Sequence, residues 1–110
     1  MQELYSGILS IANDVTDGTE DSEIRFLNMV NGTLQTPMTI DGLNVGIGVT
    51  DPSRNLQVKG TLNAAIAITA ITTGLAQLAL GDTDDDNYAQ IILDNSTNKL
   101  QIQNGGGGIV

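Results

Sequence analysis

Asn44 to Gly60, NVGIGVTDPSRNLQVKG, is the stretch on which the fold turns. In Val45-Gly46-Ile47-Gly48-Val49 branched apolar residues alternate with glycine. A strand with that pattern has one apolar face and one face with no side chain at all. A bare face lets another backbone or a ligand approach very closely. Thr50-Asp51-Pro52-Ser53 reads as a tight turn: Pro52 fixes φ, and Asp51 or Ser53 can bond the local backbone. Asn55 to Gly60 then alternates polar and apolar residues, the pattern of a half-buried strand.

Outward from this stretch, turn signals and short alternating runs continue in both directions. Gly7–Asn13 is β-like, Asn13–Glu23 is an acidic loop containing Asp17-Gly18, and Glu23–Met29 alternates as a strand. Asn31-Gly32 is a hairpin signal between that strand and the next. Pro37 implies an edge strand or a break, because proline cannot donate to a ladder. Asp41-Gly42 marks another turn. Downstream, Thr61–Gly81 carries no charge. Its internal Asn63, Thr69, Thr72, Thr73 and Gln77 argue against a membrane span. It reads as two buried strands, with a helix as the rival because alanine and leucine are good formers. Asp82–Asn87 is a second acidic loop, followed by strands at Tyr88–Leu93 and Lys99–Gln103 around a turn at Asn95–Asn98. Gly105–Gly108 forms a glycine run near the end. The chain divides into an N-terminal β segment (1–43), the glycine-rich strand-turn-strand (44–60) and a C-terminal β segment (61–110).

Composition limits what such strands can do alone. The 110 residues include 13 glycines and, as aromatics, only Tyr5, Phe26 and Tyr88. Aromatic rings supply the largest burial per residue, and a domain of this size is marginal by itself. The chain is therefore expected to complete its interior with copies of itself. A formal charge of −9 leaves no basic footprint for nucleic acid and disfavours anionic membrane surfaces. Without cysteine there is no disulfide framework and no thiolate metal site. The opening MQELYSGILS lacks the basic and long apolar regions of a secretory signal, so an extracellular location would be reached by assembly and lysis.

Val45–Gly60 resembles the VGIGTTxPxxxLxVxG signature of bacteriophage tail-fibre and tail-spike proteins and of some bacterial adhesins. Val49 stands where threonine is usual. The phrases TDGTEDSEIRF (16–26) and LGDTDDDNYAQI (80–91) resemble segments of the same fibre proteins. The resemblance implies a homotrimer with three chains wound or stacked along one axis, located in a virion appendage. It also implies, as possible partners, other virion proteins and a host surface receptor. Nothing in the chain matches the self-cleaving chaperone such fibres often carry.

Candidate chemistry is sparse. Asp82, Asp84 and Asp86 have the spacing that opens a calcium loop, but Asn87 and Leu93 occupy the places of its glycine and closing glutamate. A solvated acidic turn is the simpler reading there, as it is for Asp17, Glu20, Asp21 and Glu23. With neither histidine nor cysteine, the usual general base and thiol nucleophile are missing, and no enzymatic activity is expected. No cofactor is expected either, and no metal site is assigned.

The sequence thus predicts an all-β, elongated homotrimeric fibre segment, a triple β-helix or a stacked β-prism. Its packing residues would be Ile24, Phe26, Val45, Ile47, Val49, Leu56, Val58, Ile66, Ile68, Leu100 and Ile102, with Gly46 and Gly48 allowing close approach. The alternative is a glycan-binding adhesin module in direct contact with a host surface. It would need an exposed aromatic or amide cluster, for which only Tyr5 and Tyr88 stand out.

Overall fold

The computed structural model describes residues 4–84 and 88–104. It is all-β, with no helix among the described residues. The chain divides into two compact units, Met1–Ile66 and Ala67–Val110, each built on its own sheet.

The first unit is a five-stranded sheet in sequential order: β1 (Ser6–Asp14), β2 (Asp21–Val30), β3 (Thr33–Asp41), β4 (Asn44–Ile47) and β5 (Leu56–Val58). β1 to β4 form an antiparallel meander. The turns follow the local chemistry. Asn31 and Gly32 both take positive φ, 49° and 75°, which a two-residue hairpin of the primed type requires. Gly42, at φ 55°, opens the next hairpin, with Leu43 as its second loop residue.

Two features refine the sequence reading. Pro37 lies within β3, at a point where the β2–β3 ladder breaks register and just beyond the stretch Met38–Asp41 that pairs with β4. Phe26 faces Met38 while Asn28 faces Gln35, so Thr36 and Pro37 together oppose Leu27 in a β-bulge. The bulge removes the ladder bond that proline could not make, and the Pro37 carbonyl accepts from Gly48 N at 2.9 Å instead. The second feature is in the glycine stretch. Its two strands do not form a tight-turned hairpin: β4 and β5 run parallel, pairing Val45 with Leu56 and Ile47 with Val58. Parallel neighbours require the chain to travel back along the strand, usually over a dozen or more residues. Here residues 48–55 make the return.

The glycines make so short a return possible. Gly48 has φ 73° and turns the chain out of β4. A Cβ on Gly46 would run into the Val49 carbonyl, and one on Gly48 into the Lys59 carbonyl. The close approach is therefore made by the chain's own backbone. Val49, expected on the apolar strand face, lies in this return segment. The crossing is clasped by Asn44 Nδ2 donating to Pro52 O (3.0 Å), Val45 N to Asn55 O (2.8 Å) and Ser53 N to the Gln57 amide oxygen (2.9 Å). Pro52, within the crossing, is buried.

The second unit is a three-stranded antiparallel meander of β6 (Leu75–Leu80), β7 (Ala89–Asp94) and β8 (Lys99–Asn104). Asn98, at φ 54°, closes the β7–β8 turn. Asn95 reaches out of that turn: its N–H bonds Gly74 O at 3.2 Å and its side-chain amide bonds Ile71 O at 3.1 Å. The expectation of two buried strands in 61–81 is only partly met. Leu75–Leu80 is a strand, but Thr61–Thr73 forms neither strand nor helix and is exposed throughout. The rival helix is absent as well.

Gly46→Ala should force the crossing off the sheet and lower the unfolding free energy by about 1–3 kcal/mol, as overpacking does. Gly7→Ala, at a strand glycine where an added Cβ meets only the end of the Leu4 side chain at 3.4 Å, serves as the control. Chemical denaturation of the two variants measures the difference.

Candidate functional site

Residues paired across a sheet share a face. In the first unit this sorts the side chains into two populations. One face carries the row Ile8, Phe26, Met38, Ile47, Val58 and the row Ser10, Ile24, Ile40, Val45, Leu56. Nine of these ten are apolar. The row between them, Leu9, Arg25, Thr39, Gly46 and Gln57, points to the opposite face, along with Glu23, Asp41 and Asn44.

The crossing segment covers the second, polar face, because Gly46, Gln57 and Asn44 all meet it there. Thr39 is fully buried and Glu23 is 5% exposed. Glu23 is held by Arg25 at 2.7 Å. Thr39 Oγ1 and Arg25 Nε have no protein hydrogen-bond partner. The apolar face has no such cover. Ile8 is 71% exposed and Leu56 60%, and Ile24 and Ile47 are exposed as well.

The second unit repeats the arrangement. Ala76, Leu93 and Leu100 form one row, and Leu78, Ile91 and Ile102 the next, on a face where Leu100 is 68% exposed and the other leucines and isoleucines are open too. The opposite face holds Ile92, the one large apolar side chain buried among the described residues. Around it stand Gln77, Gln90, Gln101 and Gln103, and Gln103 donates its side-chain amide to Gln101.

Of the expected packing residues, Ile24, Phe26, Val45, Ile47, Leu56 and Val58 gather on one open face, and Leu100 and Ile102 on the other. Ile66 and Ile68 are exposed outside any strand. Strand alternation could have revealed the glutamine group, since Gln77 and the pair Gln101, Gln103 occupy alternate positions. Tyr5 and Tyr88 fall in different units. Tyr5 lines an open depression of about 550 Å³ with Leu4, Met29 and Gly32, whereas Tyr88 stands beside Leu80 and Ala89.

The acidic loops are held by their own backbone. Asp14 accepts from Thr16 N at 2.8 Å, Asp94 from Ser96 N at 2.9 Å, and Asp82 from Asp84 N at 2.9 Å. Asp86, the third member of the calcium spacing, lies outside the described residues. Among those described, no three acidic side chains converge on a metal-sized space. The hydrogen bonds from Thr16 hold the Asp14 carboxyl below its ordinary value, and those from Ser96 and Thr97 do the same for Asp94.

The chain matches no protein-family model, no curated protein and no solved structure.

Thr39→Val removes a buried hydroxyl without a protein partner and should stabilise the first unit by about 1 kcal/mol, read as a raised denaturation midpoint. The depressed carboxyls of Asp14 and Asp94 contribute stability that is complete above their ordinary value of 3.8 and is lost as pH falls through the lower folded value. An acid titration should therefore show wild type losing stability below about pH 4, where the Asp14→Asn, Asp94→Asn double variant changes less.

Proposed function

We propose that this chain is a structural, self-assembling segment of an elongated appendage of the phage tail-fibre type, working as a homotrimer. The observation that carries this is the pair of open apolar sheet faces. Aliphatic surface left in water costs roughly 25 cal/mol per Å², and a second sheet face at about 10 Å removes that cost. Charge distribution supports the same reading. Neither apolar grid contains a charged side chain, while Asp21, Glu23 and Asp41 lie on the far side of the first sheet. Copies carrying −9 each can therefore meet without opposing like charges at the contact. The function is mechanical: a β-rich shaft that supports attachment, assembled in a host cytoplasm and carried on a virion, with no catalytic step.

Direct glycan binding is a second reading, favoured by the four glutamines around Ile92. Their amides offer donors and acceptors to sugar hydroxyls, and the ring nearest them in sequence, Tyr88, stands beside Leu80 and Ala89.

Light scattering coupled to size exclusion should return about three times the 11.5 kDa chain mass. A cooperatively melting species of 11.5 kDa would overturn the proposal. The same preparation on a glycan array separates the two readings, since a shaft stays silent and a module binds selectively.

A further inference from the structure

The segment Thr61–Thr73 is unusual in what it lacks. It has no charge, no place in either sheet and no buried residue. Leu62 is 93% exposed, and Ile66, Ile68 and Ile71 are exposed with it. Apart from the carbonyls bonded near its end, at Ala70 and Ile71, its backbone groups find no partner among the described residues. Its sequence nonetheless alternates as a strand would. Ile66 and Ile68 fall on one side with Ala64 and Ala70, and Ala65, Ala67 and Thr69 on the other.

β1 lacks the complementary thing. It is the outermost strand of the five-stranded sheet, nine residues long, and no described residue pairs with its outer edge. Long edge strands are ordinarily blunted by lysine, proline or an inward charge, because their unpaired N–H and C=O groups template another strand. From Ser6 to Asn13 β1 has none of these, and its irregularity comes only at Ala12/Asp14. The other edges are poorer acceptors. β5 spans three residues, β8 begins with Lys99, and β6 follows the donor segment directly in the same chain.

We propose that Ala64–Ile71 of one copy adds as a sixth strand to the β1 edge of a second copy, an exchange by β-augmentation. The occupant is a copy of this chain because donor and acceptor match in the same two respects: Ala64–Ile71 and the Ser6–Asn13 part of β1 are both uncharged, and their lengths agree. Ladder hydrogen bonds supply the affinity. With Ile66 and Ile68 turned to the side of Ile8, the added strand also widens the open apolar face, and Ala65, Ala67 and Thr69 meet the polar side beside Leu9 and Ile11. The exchange rests on the self-assembly proposed above and specifies one of its contacts.

The absence of cysteine makes the test direct. Copies carrying Leu9→Cys or Ile11→Cys are mixed, unfolded and refolded together under oxidation with mass-tagged copies carrying Ala65→Cys, Ala67→Cys or Thr69→Cys. Strand pairing brings at least one of these combinations within disulfide reach, so a mixed disulfide between tagged and untagged copies is expected. In parallel, amide hydrogen exchange on the unmodified assembly should show residues 64–71 protected, as ladder N–H groups are. A multimer with no mixed disulfide in any combination and rapid exchange over 64–71 overturns the exchange while leaving self-assembly standing. A chain bearing both cysteines that closes only within itself also overturns it, placing the segment on its own β1. A monomeric mass overturns self-assembly together with the exchange.

Discussion

The passage of residues 48–55 over Gly46 is the contact on which the first unit depends. A parallel pair needs its connection to run back along the sheet, and a connection this short must lie almost on the backbone. Only a residue without Cβ leaves that room, and Gly46 is buried under the Val49 carbonyl. Because the chain crosses on the polar side, it seals Thr39 and Glu23 there and leaves the other side bare. Which face of the sheet stays open is therefore decided by a glycine and not by the apolar residues themselves.

That decision inverts the usual economy of a small domain. Most β-sheets hide their apolar face against their own chain and leave the polar one wet. Here the described residues bury one isoleucine and expose most of the rest. Thirteen glycines and three aromatic rings give little material for a self-contained interior. The self-assembly proposed above would cover these faces, and the acidic loops, by their charge, favour solubility.

Much of this was legible from short-range chemistry. Asn31-Gly32 and Asp41-Gly42 mark their turns because positive φ at a hairpin is a local demand, met at Gly32 and Gly42. Period-two alternation located β2, β5, β7 and β8 within a residue or two at most ends. What was not legible depends on partners distant in sequence. Gly46 marks a close backbone approach within β4, but neither strand carries a mark that β5 returns parallel. The bulge that admits Pro37 is set by the pairing of β3 with β2. The uncharged run at 61–73 has the composition of buried strands but no partner within the chain, so composition alone placed it in an interior that the single chain does not possess. The amide group around Ile92 was also missed, since its members come from three strands.

Pro37 has a bearing on how the sheet would carry a load. Shifting one strand by a single residue would send every aliphatic side chain of the open face to the wrong side. A proline seated in a bulge resists moving along the ladder, because a paired position facing β2 would demand an N–H it does not have. It works as a pawl between β2 and β3, where the register shift sits. A ribbon pulled along its strands would then resist shear at that tooth before its hydrogen bonds were exhausted.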